Sequence, residues 1–144
     1  MSSIPASVAG FISAGRVGHL GTADASGQPL VVPICYAFDG TALFSAVDAK
    51  PKSRAPERLQ RIRNIRENAQ VSVVINHYEE DWTRLRHVLI QGDAEVLTGG
   101  PEFSRAADLL LAKYPQYREL GLSRDGGVMI KVVPARVQEW RFSN

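Results

Sequence analysis

At 144 residues, 44% of them hydrophobic and 22% charged, the chain has the balance of a soluble globular domain with enough length for one core, which excludes a disordered segment. A single cysteine, Cys35, excludes a disulfide framework and any pair of thiolate metal ligands. The net charge of only +2 and pI of about 8.9 fall below the usual footprint of a nucleic-acid-binding domain. No apolar run reaches the ~18 residues of a membrane span, and no basic region precedes the apolar part of the N-terminus. With the lone thiol suiting a reducing compartment, a cytoplasmic protein of one domain over residues 1–144 is expected, with neither membrane nor nucleic acid as partner.

Ile4, Val8, Phe11 and Ile12 have the spacing of a short amphipathic helix over 4–14, with Ser3 as N-cap, Pro5 near the first turn and Gly15 ending it. RVGHLGTA (16–23) reads as a strand, DASG (24–27) as a tight turn, and QPLVVPICYAF (28–38) as a β-branched second strand. Asp39-Gly40 is a hairpin signal leading into TALFSAV (41–47), so a three-stranded antiparallel meander is expected. Pro33 has no N–H to give a ladder, which points to an edge, a bulge or a ligand-facing break.

The most unequal distribution of charge follows. From Lys50 to Asn68 there are seven basic residues against Glu57 and Glu67, a net of +5 that leaves −3 for the rest. Lys50-Pro51-Lys52 reads as a loop and 56–67 as a helix, apolar along Leu59, Ile62 and Ile65. Arg54, Arg58 and Arg61 fall on one face of that helix. A charge run is usually a solvated face, but arginine excess without matching glutamate argues for a bound anion. A strand–loop–helix order adds helix N–H groups that lack intrahelical partners. Lysine meets phosphate as a point charge and arginine forks onto it, so a phosphate-bearing cofactor is expected here.

VSVVIN (71–76) reads as a buried strand, HYEEDWTR as a polar connection, and LRHVLIQGDAEVL (85–97) as a long strand with a bulge at Gly92. A helix starts at Pro101 and runs to about Lys113, and 125–142 forms a last strand broken near Pro134. The sum is a mainly β fold, about six antiparallel strands and three short helices in a small barrel. His19, His77 and His87 form no i, i+4 pair and have no cysteine beside them, so no metal site is expected. Cys35 sits in an apolar run with no activating base in view and reads as inert filler. Trp82 begins a loop that either covers a ring edge or packs, and Trp140 either packs or approaches a second copy's site. There is no G-x-G-x-x-G or Walker loop.

The stretch HLGTADASGQPLVVPICYAFDGTALFSAVDAKPK (19–52) resembles the opening of the pyridoxamine 5′-phosphate oxidase-like, split β-barrel flavin-binding superfamily. AVDAKPK, followed by RLQRIRNI and HYEEDWTRL, is similar to the branch of oxidoreductases that use the deazaflavin coenzyme F420. The resemblance covers residues 15–97 and, loosely, the last strand. It implies a homodimer with two cofactor sites at the subunit interface. Reduced F420, or alternatively FMN, would pass a hydride to a small unsaturated substrate, and no side chain need be a nucleophile. The resemblance lays the ring against Val32, Pro33 and Ile34 and the strand end Ala46-Val47. It matches Lys52 to a phosphate-binding lysine, Lys50 to the first lysine of the branch motif, and Arg58 and Arg61 to basic helix positions near the phosphate or the acidic tail. His87 falls where the oxidases have a cofactor-contacting glutamine, and Arg86-His87 departs from the tryptophans of the branch. Along a helix, Arg54 to Arg61 would span about 10 Å at ~1.5 Å per residue, the reach of a glutamyl tail. The alternative is a protein that binds a flavin or tetrapyrrole without turnover.

Overall fold

A computed structural model describes residues 3–47 and 58–143. Helix α1 (Ala6–Ala14) precedes strands β1 (Gly18–Ala23), β2 (Pro29–Ile34), β3 (Ala37–Phe38) and β4 (Leu43–Ala46). Helix α2 (Gln60–Glu67) leads into β5 (Gln70–His77), a 3-10 turn (Trp82–Arg84) and β6 (Arg86–Leu97). Helices α3 (Pro101–Lys113) and α4 (Gln116–Glu119) and strand β7 (Met129–Arg141) complete the order. No helix of the described residues is long and apolar enough to cross a membrane.

All pairings are antiparallel, in one seven-stranded sheet of order β2-β1-β5-β6-β7-β4-β3, curled into a half-barrel with the helices around it. The expected mainly β barrel is therefore present, with seven strands rather than six and a fourth, one-turn α-helix among the described residues. The expected meander is corrected. β2 pairs with β1 but not with β4, and the chain breaks at Cys35-Tyr36 to place β3 and β4 at the opposite edge. Tyr36 drives the break: its fully buried side chain donates from the hydroxyl to the Ile12 carbonyl, which ties the crossover to α1.

The two tight turns form as expected. Asp24 Oδ1 accepts from the Ser26 and Gln28 amides at 2.9 and 3.0 Å, and Asp39 Oδ1 from the Thr41 and Ala42 amides at 2.8 Å each. Gly27 and Gly40 take the left-handed φ of 90° and 98° that these turns need. The expected Ser3 cap is not used. Pro5 is the N-cap of α1, with no side-chain hydrogen bond, and Gly15 ends the helix in extended backbone.

β6 and β7 carry a bulge between Gln91 and Gly92, where the partner shifts from Arg136 to Pro134. Pro134 thus lies at a bulge inside a continuous β7 rather than at a break, and its missing N–H costs no regular ladder bond. Inward residues such as Leu20, Val73 and Ile90 build the main core with Ile62 and Ile65 of α2. A second core under α3 holds Phe44, Phe103, Leu110 and Met129.

Candidate functional site

The crossover brings the ends of β2 and β4 beside the start of α2. A cavity of about 190 Å³ lies there, lined by Pro33, Ile34, Cys35, Ser45, Ala46, Val47, Arg61 and Tyr117. Pro33 faces His19 of β1 on one side, and β2 is an edge strand, so the missing N–H falls where no further strand needs it. Ser45 Oγ donates to the Cys35 carbonyl at 2.8 Å, which pins the crossover backbone to β4.

Arg61 is half-buried, whereas Arg58, Arg63 and Arg66 are exposed. Its position follows from the seating of α2. Ile62 and Ile65 enter the main core, and between them the buried Asn64 donates to Thr22 Oγ1 at 3.0 Å and accepts from Gln60 Nε2 at 2.7 Å. The N-cap of α2, Leu59, gives no side-chain cap, and its carbonyl accepts from the Ile62 and Arg63 amides at 3.1 Å each. A cationic side chain and an apolar strand wall suit the phosphate and ring of a flavin-type group.

The helix starts later than 56. Leu59 has extended backbone at ψ 141°, so α2 begins at Gln60 and Arg58 stands before it. Arg58 therefore shares no α2 face with Arg61, and a ruler of ~1.5 Å per residue does not run back from Arg61. Lys50, Lys52 and Arg54 lie outside the described residues.

Of the sequence-based site residues, the cavity gathers Pro33, Ile34, Ala46, Val47 and Arg61. Val32 does not join them. It alternates inward on β2 and packs against the main core. His87, Trp82 and Trp140 also lie elsewhere. His87 and Trp140 face each other across β6 and β7 with rings stacked at 5.5 Å and 17°. Trp82 is 58% exposed and donates from Nε1 to the Tyr78 hydroxyl at 3.4 Å. Sequence reasoning passed over Tyr117, Ser45 and Cys35 as lining. Tyr117 follows α3 by a turn that periodicity did not mark, and Cys35 comes to the cavity only because the second strand breaks beside it.

The family described as "Pyridoxamine 5'-phosphate oxidase" matches residues 4–141. No curated protein matches the chain. Among solved structures, the conserved hypothetical protein Rv2991 from Mycobacterium tuberculosis is similar at a TM-score of 0.75 and 22% identity, over 99% of this chain and 87% of that one. A FAD-binding protein (mll6688) from Mesorhizobium loti is similar at 0.72 and 21%, over 96% and 93%. HutZ, the heme storage protein from Vibrio cholerae, is similar at 0.71 and 15%, over 97% and 95%.

Proposed function

The chain belongs to the pyridoxamine 5′-phosphate oxidase family, and from that premise we propose that it is an oxidoreductase binding coenzyme F420, or FMN in its place, between two copies of itself. The observation that carries this reading is the cavity, where Pro33, Ile34, Ala46 and Val47 meet Arg61. Its apolar wall accepts a ring, and Arg61 pairs with a phosphate. Lys50 and Lys52 add charge in this reading.

At about 190 Å³ the cavity is smaller than the ~300–1,000 Å³ of a whole small-molecule site. A second copy is the proposed source of further wall, with the His87–Trp140 stack and Trp82 as the groups it offers. When bound, the ring supplies hydride transfer to a small unsaturated substrate. The chain's own residues fix its position and shield one side of it from water, with no side chain forming a covalent bond.

One observation favours a second reading, storage of a flavin or tetrapyrrole without turnover. HutZ is a heme storage protein of similar fold, and the His87 and Trp140 rings stack at 5.5 Å, an aromatic pair suited to lie against a flat ring. The two readings separate in one experiment. The protein is loaded with reduced cofactor without oxygen, and reoxidation is followed with and without an added unsaturated acceptor. An oxidoreductase reoxidises faster with the acceptor; equal rates across a panel of acceptors favour storage.

A further inference from the structure

Arg16, ahead of β1, and Lys113, at the end of α3, meet beside the Cys35–Tyr36 crossover. The Arg16 guanidinium lies 4.6 Å from the centre of the Tyr114 ring. Lys113 Nζ lies 4.1 Å from the centre of the Tyr36 ring and 5.3 Å from that of Tyr114. We propose that Arg16 and Lys113 form a binding site for a small oxyanion, a carboxylate or phosphoryl group, with the Tyr36 and Tyr114 rings as its walls. The proposal does not rest on the cofactor reading.

The two cations lack a carboxylate counterion among the described residues. Arg16 donates from Nη2 to the Lys113 carbonyl at 3.0 Å, and Lys113 Nζ donates to the Tyr36 carbonyl at 3.0 Å. These are the hydrogen bonds the two cations make among the described residues, and neither has a carboxylate partner there. A guanidinium has five N–H groups and an ammonium three, so most donors remain available. Several other cations do have carboxylate partners among the described residues: Arg86 with Glu139, Arg124 with Asp108, Lys131 with Glu102. The groups acting on Lys113 confirm the imbalance. Burial and then Arg16 pull its pKa down to about 8, and only Cys35 pushes the other way. The other ionisable neighbours are the Tyr36 and Tyr114 hydroxyls, and burial raises both of their pKa values. A half-buried Lys113 beside an exposed Arg16, with no carboxylate between them, is relieved by an anion reaching both from the solvent side, and an arginine fork with a lysine point charge suits an oxyanion.

The test is an NMR titration of the whole protein with sulfate, which stands for a phosphoryl group at constant charge, and separately with acetate. Saturable shifts are expected at the amides of Val17 and Lys113 and their neighbours. Lys113→Met and Arg16→Gln should each weaken that response about tenfold or more, from the loss of one charge-assisted contact. Shifts near Arg61 report any second anion site and should persist in both variants. Sulfate should also raise the titration midpoint of Lys113, a change that a purely structural lysine would not show. Tighter sulfate assigns a phosphoryl group, and tighter acetate a carboxylate. Absence of saturation, equal affinity in both variants, or an unmoved midpoint overturns the proposal. Failure here leaves the cavity reading untouched, because Arg16 and Lys113 do not line the cavity.

Discussion

Two cations carry the charge arguments, Arg61 at the cavity and Lys113 outside it. Arg61 reaches the cavity half-buried, so its contact with an anionic group is screened less than that of the exposed arginines beside it. Arg61→Ala should lower cofactor affinity about ten- to a hundredfold, the loss of one charge-assisted hydrogen bond worth roughly 1.5–3 kcal/mol. Isothermal titration checks it, and an unchanged dissociation constant removes Arg61 from the site. Lys113 gives a pH dependence of defined sign. Its folded pKa of about 8 lies below the ordinary 10.5, so between those values the unfolded chain holds more protons and stability rises with pH. This contribution is complete above the ordinary value and lost as pH falls through about 8. Chemical unfolding of wild type and Lys113→Met should therefore show wild type gaining relative to the variant from pH 8 towards 10. At this scale, Arg61 carried a signal in its charge, while the helix face it was expected to share with Arg58 did not form. Asn64 was not, since a polar residue between two buried isoleucines shows its Thr22 partner only when α2 meets β1.

At the scale of elements, turns and bulges carried their own signals and the strand order did not. Asp24 and Asp39 each hold a turn by local hydrogen bonds, which is why DASG and Asp39-Gly40 could be read directly. Gly92 was read as a bulge for a similar reason. A Cβ at Gly92 would lie 2.0 Å from the Val133 carbonyl oxygen, a backbone atom that cannot swing aside. Gly92→Ala should destabilise the fold by about 1–3 kcal/mol, as overpacking does, and thermal unfolding checks it. An unchanged melting temperature would mean that β6 and β7 can separate there at no cost. The crossover at Cys35-Tyr36 escaped the sequence reading. QPLVVPICYAF is continuously apolar, and its break is set by long-range partners: Tyr36 bonds Ile12, while Tyr114 and Lys113 bond the Tyr36 backbone. The start of α2 escaped for a related reason, since Pro56 marked a first turn by rule whereas Leu59 is held extended as the N-cap.

For the whole molecule, one curled sheet leaves apolar side chains on its outer surface. Val31 is 66% exposed, Phe142 52% and Trp140 44%. Exposed aromatic and branched residues, with a candidate cavity of only about 190 Å³ beside Arg61, suit a homodimer. Light scattering at micromolar concentration should give twice the chain mass of 15.8 kDa, and a monomer would contradict the interface reading. The choice of cofactor is the central claim. The stretch from Lys50 to Asn68 carries a net +5 in a chain of +2, more positive charge than one FMN phosphate requires, and the glutamylated tail of F420 supplies additional anions. Parallel titrations of the apoprotein with F420 and with FMN across a salt series test this most directly. Tighter binding of F420 and a steeper loss of its affinity as salt rises are expected, because more charges are paired and screened. FMN binding at least as tightly, with an equal salt slope, would contradict it.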